Sequence, residues 1–259
     1  MKTGALPRDF TQPAPSFEAA IVDPRALPVA PTIVDWTSKV NSWPMYSNDV
    51  WGCCTVASIF HAIAALTAFS GLVPGGAMFS LAETTKVYEA VCPGFNPKTD
   101  ANDNGATLAS VCQYGVKTGF TDTAGRVHKL AGWAEIGNYT NLALLKQALW
   151  VFGTLYLAAN LQQAQEDQFG AGQPWSWVPN SPIIGGHAFP LEQSALNDPG
   201  FFYNEEVITW GAKWKVNRPF MTNQLVEGIV IFTEDWIEAN GTSPSGLDLT
   251  QIITDSHNL

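Results

Sequence analysis

Cys54 is the residue of this sequence that is best placed to act as a nucleophile. It follows a loop, Ser-Asn-Asp-Val-Trp-Gly at residues 47–52, and begins an apolar run that extends to about residue 70. This pattern puts the thiol at the amino end of a predicted helix, where unpaired N–H groups and the helix dipole favour the reactive thiolate. The alternative is that Cys54 is a small buried apolar side chain, since free cysteines are among the most buried residues.

A cysteine nucleophile needs a histidine to exchange its proton, and the sequence has four histidines. His61 lies two turns along the same helix, roughly 10 Å away at about 1.5 Å per residue, and is predicted to be a packing residue. His128 lies in a charged segment and His257 in the predicted tail. His187 follows two glycines, where close backbone packing would expose its ring. It is therefore the predicted partner of Cys54.

The remaining cysteines do not indicate another chemistry. Four cysteines in a chain of this length make no disulfide framework. Cys53 and Cys54 are adjacent, so their side chains diverge on a helix, and no Cys/His pair has zinc-ligand spacing. Neither a metal nor a cofactor is expected.

Composition limits the possible classes of protein. The 259 residues are 46% hydrophobic and 14% charged, which suits one large folded domain and excludes a disordered chain or a coiled coil. With 13 basic and 23 acidic residues the net charge is −10, so nucleic acid and anionic membranes are not expected as partners. The sequence has no secretory signal, and polar residues and a proline interrupt the uncharged stretch 50–82, which predicts a buried helix in a cytoplasmic protein rather than a membrane span.

The chain divides into an arm and one domain. Six prolines in residues 1–35 predict an extended arm, and residues 36–259 are predicted to form a single domain. Apolar periodicity and capping residues predict helices over residues 54–70, 80–91, 107–117 and 142–152. Short strands are predicted over 154–158, 206–210 and 226–232. Helices followed by strands are typical of an α+β domain.

Three motifs, taken in order, resemble the papain-like cysteine peptidases. They are Asn48-Asp-Val-Trp-Gly-Cys-Cys54-Thr, then Gly185-Gly-His187-Ala, then Ile208-Thr-Trp210-Gly. The spacing from Cys54 to His187 falls within the roughly 130–150 residues that separate these two residues in papain-type enzymes.

The sequence also resembles, more closely, a poorly characterised papain-like group of bacteria and their phages. Members of that group have Asn-Asp-x-x-Gly-Asp-Cys-Thr at the nucleophile. The likeness spans about residues 43–250. Its further motifs are Tyr88 before Asn96-Pro97, Asp103-Asn-Gly105, Lys117-Thr-Gly119 and residues 236–249.

The resemblance implies a role for each matching residue. Cys54 would be the nucleophile, and His187 the general base and then the general acid. Asn48 would stabilise the oxyanion together with the backbone N–H of Cys54. Trp210 would shield from water the group that orients His187.

Three residues depart from the family pattern. The position two before Trp210 is Ile208, where papain-like enzymes have the asparagine that orients the histidine. Thr209 could replace it, but strand alternation is expected to turn Thr209 the other way. Cys53 replaces the Asp of the bacterial and phage motif, and Pro190 is expected to interrupt the strand that carries His187. Weak turnover is expected because Ile208 offers the imidazole of His187 no hydrogen bond.

The resemblance thus predicts an α+β, papain-like fold, with a helical half built on the Cys54 helix and a small antiparallel β half. The predicted activity is thiol acyl transfer by a peptidase or amidase, with a peptide or amide substrate. The alternative is a papain-like scaffold, weakly active or without turnover, that acts as a binding or phage structural protein. A phage structural protein would be associated with virions. The sequence does not define an oligomeric state.

Overall fold

A mainly antiparallel sheet and a group of helices pack against each other around one long buried helix. The computed structural model describes residues 1–11, 14–17, 28–195 and 205–240, with side chains in the last range up to residue 237. The predicted tail, including His257 and most of the motif at residues 236–249, lies outside these residues. Within the described residues, no helix has both the length and the apolar character needed to cross a bilayer.

The helical half consists of α1 (Cys54–Ser70), α2 (Leu81–Val91) and α3 (Leu108–Lys117). Every residue of α1 from Cys54 to Ala68 is buried, as the apolar run predicted for a central helix. Ser80 caps α2 by accepting a hydrogen bond from the backbone N–H of Glu83, and Thr107 caps α3 in the same way. The predicted helical half, built on the Cys54 helix, is confirmed.

The other half is larger than the predicted small β half. One sheet has the strand order β4-β9-β5-β6-β7-β8, with β1 paired to the end of β6, and β2 and β3 form a separate hairpin. The strands are β1 (Val34–Asp35), β2 (Phe120–Thr121), β3 (Val127–His128), β4 (Leu130–Glu135), β5 (Leu155–Gln162), β6 (Ile183–Ser194), β7 (Glu205–Thr209), β8 (Ala212–Val216) and β9 (Leu225–Thr233). The connecting helices are α4 (Leu142–Phe152), α5 (Gln163–Gly170), α6 (Arg218–Gln224) and α7 (Glu234–Asn240).

The two faces of this sheet bury two different apolar clusters. On β6, Ala188 belongs to the cluster around α1, whereas Phe189 and Leu191 belong to the cluster around α4. On β9, Ile231 lies with the α1 cluster and Phe232 with the α4 cluster. Alternation along each strand therefore defines an inner face toward α1 and an outer face toward α4.

Pro190 does not interrupt the strand that carries His187, contrary to the sequence prediction. β6 runs without a break through Pro190, which lies opposite Tyr156 of β5. The ladder between β6 and β7 begins only at Leu191. Because β6 has no β7 partner at Pro190, the missing N–H removes no bond from that ladder.

The arm is attached to the domain at several points. Val34 of β1 pairs with Ser194 of β6, and Phe17 is buried in the outer cluster. Further toward the amino terminus, Ala5 forms a parallel bridge with Ala106, which lies just before α3. The first residues of the chain therefore lie between the helical half and the sheet.

Candidate active site

Cys54 is the first residue of α1, and no side chain caps that helix end. Cys53 occupies the N-cap position without a side-chain hydrogen bond to the helix. The backbone N–H of Ala188 donates to Cys54 Sγ at 3.4 Å. Burial raises the pKa of the Cys54 thiol to about 11, and the N–H groups of Ala188, Gly4, Thr55 and Ala5 lower it by less. The thiol is therefore neutral in this arrangement.

His187 is held by one of its two ring nitrogens. Its Nε2 lies 2.7 Å from Thr209 Oγ1, while Nδ1 is buried and has no hydrogen-bond partner among the described residues. The ring packs against Trp210, at 4.7 Å between ring centroids, and against Trp175 and Phe189 of the outer cluster. Burial lowers the pKa of His187 to about 3. The imidazole is neutral, with Nδ1 free to accept a proton if Nε2–H donates to Thr209.

The orientation expected for Thr209 was wrong. Val207 lies in the outer cluster, so Thr209, two residues further along β7, shares its face. His187 is on that face as well, because Phe189, two residues along β6, belongs to the outer cluster. Ile208 is buried and faces away from the ring. Thr209 is therefore the orienting group.

The structure brings the backbone next to His187 against the Cys54 sulfur. Ala188, the next residue of β6, makes the N–H contact to Cys54 Sγ. His187 Nδ1 itself forms no hydrogen bond with the sulfur. The sulfur is therefore contacted by the backbone next to His187, and the predicted pair is not closed into an ion pair.

Asn48 points its amide toward a peptide carbonyl in the cleft. The side chain is buried, and its Nδ2 donates to the carbonyl oxygen of Trp51 at 3.1 Å and to that of Lys2 at 3.4 Å. The indole Nε1 of Trp210 donates to the same Lys2 oxygen at 3.2 Å. The two side chains from opposite halves therefore converge on one carbonyl oxygen.

Sequence reasoning assigned no role to Asp103, which fixes the loop before Cys54. Both carboxylate oxygens of Asp103 accept from the backbone N–H of Gly52, at 2.9 and 3.0 Å. Tyr88 Oη donates to Asp103 and accepts from the N–H of Gly105 at 3.1 Å. The motifs at Tyr88 and Asp103 contributed to the resemblance, but only the fold shows that they meet beneath the nucleophile loop.

Residues 2–8, which we call the cleft segment, cross the cleft over Cys54. The N–H groups of Gly4 and Ala5 both donate to Gly186 O at 2.9 Å, on the sheet side. On the helical side, Leu6 N–H donates to Ala106 O and Ala106 N–H donates to Gly4 O, each at 2.9 Å. The segment is therefore bound as an extended strand, parallel to residue 106, and the N–H groups of Gly4 and Ala5 face the sulfur.

Glycines allow this close approach of main chains. A Cβ atom at Gly4 would lie 1.9 Å from the carbonyl oxygen of Gly52, and one at Gly186 would lie 2.1 Å from that of Ala5. Both contacts are with backbone, so a side chain at either position would push the cleft segment away from the wall. Gly185-Gly186 therefore makes room for bound polypeptide beside His187.

The described residues contain no group of three His, Cys, Asp or Glu side chains arranged to hold a metal ion. All four cysteines are free and buried. Cys54 is thus the one of them that combines a helix amino end with backbone N–H donors to its sulfur.

The fold is that of the papain-like cysteine proteases. No protein-family model matches the chain, and no curated protein matches its sequence significantly. Among solved structures, xylellain, a cysteine protease from Xylella fastidiosa, superposes with a TM-score of 0.62 at 14% identity, covering 89% of this chain and 95% of xylellain.

Two further structures are similar over most of their length. For proCathepsin B S9 from Trypanosoma congolense the TM-score is 0.60 at 13% identity, with 90% of this chain and 87% of that one covered. For procathepsin L 3 from the larval midgut of Tenebrio molitor the TM-score is 0.55 at 13% identity, with 89% and 75% covered. Identities this low establish the fold alone. The narrower resemblance to a bacterial and phage group stays a prediction.

Proposed function

We propose that this protein is a cysteine peptidase that cleaves polypeptides by acyl transfer through Cys54. The observation that carries the proposal is the cleft segment, a polypeptide bound in extended form directly across the sulfur. A cleft that hydrogen-bonds main chain on both walls and has a thiol at its floor is suited to a peptide substrate. The proteases of similar fold support the same class of reaction.

The residues of the site have distinct roles in this reaction. Once the cleft segment leaves, His187 Nδ1 takes the proton of Cys54 and the sulfur attacks the substrate carbonyl carbon. The Asn48 amide and the Cys54 backbone N–H stabilise the oxyanion. Protonated His187 then gives its proton to the leaving amine, and water hydrolyses the thioester. Thr209 keeps Nε2 occupied, so that Nδ1 remains the base.

We further propose that the chain, as it is folded here, is a latent form. The cleft segment turns the N–H groups of Gly4 and Ala5 toward Cys54 Sγ, and in this arrangement the thiol and the imidazole of His187 are both neutral. Two of the similar structures are proforms by their own description, proCathepsin B and procathepsin L 3. Access to Cys54 would then depend on displacing residues 2–8.

The alternative is a papain-like scaffold that binds a polypeptide without cleaving it. The observation that favours it is that Cys54 and His187 are not hydrogen-bonded to each other: His187 Nδ1 has no hydrogen-bond partner in the part of the chain that the structure describes, and a threonine orients the ring in place of an amide. The two functions differ in one measurable property, which is the reactivity of Cys54 once the cleft segment is displaced.

The experiment uses Gly4→Ala to displace the cleft segment, because the added Cβ would collide with the backbone of Gly52. Gly170→Ala is the matched control, since nothing lies near the Cβ at that position. Each variant is incubated with a peptidyl acyloxymethyl ketone, and the adduct is counted by intact mass. Gly4→Ala is expected to form a single adduct. Gly170→Ala should form the same adduct much more slowly, and the double variant Gly4→Ala with Cys54→Ala should form none.

Turnover is measured on a pooled peptide library with the same variants. Cleavage by Gly4→Ala above the level of the Cys54→Ala double variant would support the peptidase. If Gly4→Ala exposes its arm to limited proteolysis yet forms neither adduct nor products, the binding scaffold is the correct function.

A further inference from the structure

Two carboxylates lie side by side on the inner face of the sheet, beside the cleft segment. Glu135 of β4 pairs with Ile229 of β9, and Glu227 precedes Ile229 by two residues, so the two glutamates are diagonal neighbours on one face. Trp133 and Ile229, which share that face, belong to the cluster around α1. We call Glu135 and Glu227 the acidic pair.

The chain places its own arginine on the acidic pair. Arg8 Nε of the cleft segment donates to Glu135 Oε1 in a salt bridge. The guanidinium lies between two cavities of about 330 and 200 Å³. Glu135 and residues of α3, among them Ser110 and Gln113, line the larger cavity, and Ala158 and Val226 line the smaller one. These cavities leave room for a larger or differently placed cationic side chain.

Glu227 is incompletely satisfied by this arrangement. Its side chain is 4% exposed, and Oε1 is buried without a hydrogen-bond partner in the part of the chain that the structure describes. A buried carboxylate oxygen without a donor is costly. Arg8 interacts with Glu227 electrostatically, whereas its Nε–H donates to Glu135. A cation with two donating N–H groups, one toward each carboxylate, would satisfy both.

The acidic pair lies within reach of a substrate bound at Cys54. Arg8 is three residues beyond Ala5, which crosses the sulfur, and an extended chain covers about 10 Å in three residues. Tyr156 lies between Cys54 and the acidic pair. Its hydroxyl donates to Thr55 O beside Cys54, and the same hydroxyl interacts electrostatically with both Cys54 and Glu227. A substrate side chain two or three residues from the cleaved bond can therefore reach the pair.

We propose that Glu135 and Glu227 form a substrate subsite that binds an arginine side chain two or three residues from the bond that Cys54 cleaves. This inference rests on the proposed function for the statement that Cys54 cleaves a peptide bond. The choice of arginine rests on the contact that Arg8 makes with Glu135. Arginine fits better than lysine because its planar guanidinium can donate to two carboxylates at once. The cleft segment then occupies the subsite with the same group that a substrate would supply.

The charge state of Glu227 makes the subsite dependent on pH. Burial raises the pKa of Glu227 to about 7, with Glu135 raising it further and Arg8 lowering it. The ionisable groups around it are Glu135 on β4, Arg8 on the arm, Cys112 on α3 and Tyr156 on β5. Since a bound cation favours the ionised carboxylate, affinity for an arginine side chain should rise as the pH increases from about 6 to 8.

The test opens the cleft after folding. A recognition sequence for a site-specific protease is inserted after Thr11, the full chain is folded and cut, and the released peptide is removed. Synthetic peptides of residues 1–11 with arginine, lysine or norleucine at position 8 are then titrated against the cut protein by calorimetry. The arginine peptide is expected to bind at least tenfold more tightly than the norleucine peptide, with lysine between them.

Variants locate this preference. Glu135→Gln and Glu227→Gln should each reduce the arginine preference to less than about threefold and weaken its pH dependence. Glu206→Gln is the control. Glu206 of β7 forms a salt bridge with Lys213 of β8, and its substitution should leave the preference unchanged. Equal binding of the arginine and norleucine peptides, or a preference that survives both substitutions, would overturn the subsite. The peptide substitutions leave the protein unaltered, so this result does not depend on how well a variant folds.

The same cut protein tests the arginine subsite independently of the proposed peptidase activity. Acyloxymethyl ketones carrying arginine or norleucine two residues before the reactive group are compared for their rate of adduct formation at Cys54. Faster reaction of the arginine reagent, lost in Glu227→Gln, supports both conclusions. If no reagent reacts while the peptides still show the arginine preference, the peptidase fails and the arginine site stands.

Discussion

His187 is oriented by Thr209, a residue that the family pattern does not provide for this purpose. A threonine hydroxyl can accept from Nε2–H and donate elsewhere, so it fixes one tautomer as an amide oxygen would. It has a shorter side chain, and the contact at 2.7 Å depends on β6 and β7 keeping their relative position. The orientation of the His187 ring, on which the proposed activity depends, is therefore set by a strand register as well as by a residue type.

Thr209→Val is expected to lower kcat at least about tenfold in protein with the cleft segment displaced, since general acid–base catalysis contributes about 10²–10⁴-fold and needs a positioned imidazole. Thr209→Ser should restore most of the rate. Thr233→Val is the control, because Thr233 Oγ1 is also buried but has no hydrogen-bond partner among the described residues. The measurement is the rate of Cys54 adduct formation and peptide cleavage.

Ile208→Asn distinguishes this arrangement from the one expected from sequence. If Ile208 limited turnover, the asparagine would raise the rate. In the structure Ile208 faces away from the ring, so the buried amide should give no gain and should destabilise the fold. A rise in rate for Ile208→Asn, with Thr209→Val unchanged, would contradict the role of Thr209.

At the scale of elements, the site depends on how the start of α1 is held against the loop of residues 100–105. Trp51 Nε1 donates to Asp100 Oδ1 at 2.8 Å, and the N–H of Gly52 donates to Asp103. Tyr88 of α2 ties Asp103 to Gly105, next to the residue that pairs with the cleft segment. One polar cluster thus positions both the nucleophile loop and one wall of the cleft.

Tyr88→Phe should destabilise the protein by about 1–3 kcal/mol, because it leaves the buried N–H of Gly105 without an acceptor and Asp103 Oδ1 without the hydroxyl donor. It should also slow adduct formation at Cys54 by loosening the loop. Tyr139→Phe, at a half-buried tyrosine packed on the outer cluster, is the control and should change neither property. Chemical unfolding and intact mass report the two effects, and equal stability of the two variants would contradict the role assigned to Tyr88.

The elements that sequence predicted well are those with a strong local signal. The apolar run after Cys54, the capping residue Ser80 and the apolar periodicity of residues 107–117 each predicted a helix that the structure contains. β6 was not predicted as a continuous strand, because Pro190 is unfavourable within a ladder and its tolerance depends on where β7 begins. Without β6, the face of His187 was undefined, and Thr209 could not be recognised as its partner.

Contacts between distant parts of the chain were beyond prediction for a related reason. Arg8, Glu135 and Glu227 are far apart in sequence, and each is an ordinary charged residue by itself. Their meeting requires the strand order β4-β9-β5 and the path of the arm over it. Spacing along one sequence contains no information on such a meeting.

At the scale of the whole molecule, several acidic side chains are buried in the sheet and affect stability through pH. Burial raises the pKa of Glu205 to about 8, with Ser194, Lys146 and Arg218 opposing it, and burial also raises the pKa of Glu227 to about 7. In the unfolded chain these groups lose their protons near pH 4.5. Between that pH and the folded pKa, the folded state binds more protons, so stability falls as the pH rises.

Below about pH 6.5 the buried, neutral His61 and His187 have the opposite effect, because they bind protons only in the unfolded chain. Unfolding free energies should therefore decrease mainly from about pH 7 to pH 8, by up to about 1.4 kcal/mol per pH unit for each proton by which the two states differ. Glu205→Gln should flatten the profile, because the amide does not titrate. Glu166→Gln, at a more exposed glutamate, should not. Urea titrations at each pH provide the measurement, and a stability that increases over this interval would contradict the burial of protonated carboxyls.

The attachment of the cleft segment to the chain it covers also determines how strongly it has to bind. A tethered segment acts at an effective concentration of about millimolar, so contacts too weak to hold a free peptide still keep the cleft filled. One cut in the connection leaves every contact of Gly4, Ala5 and Leu6 in place but dilutes the peptide to the concentration of the protein itself. The fraction of open clefts then increases as the protein is diluted. It can also be changed by adding a competing peptide, and neither treatment alters a residue of the site.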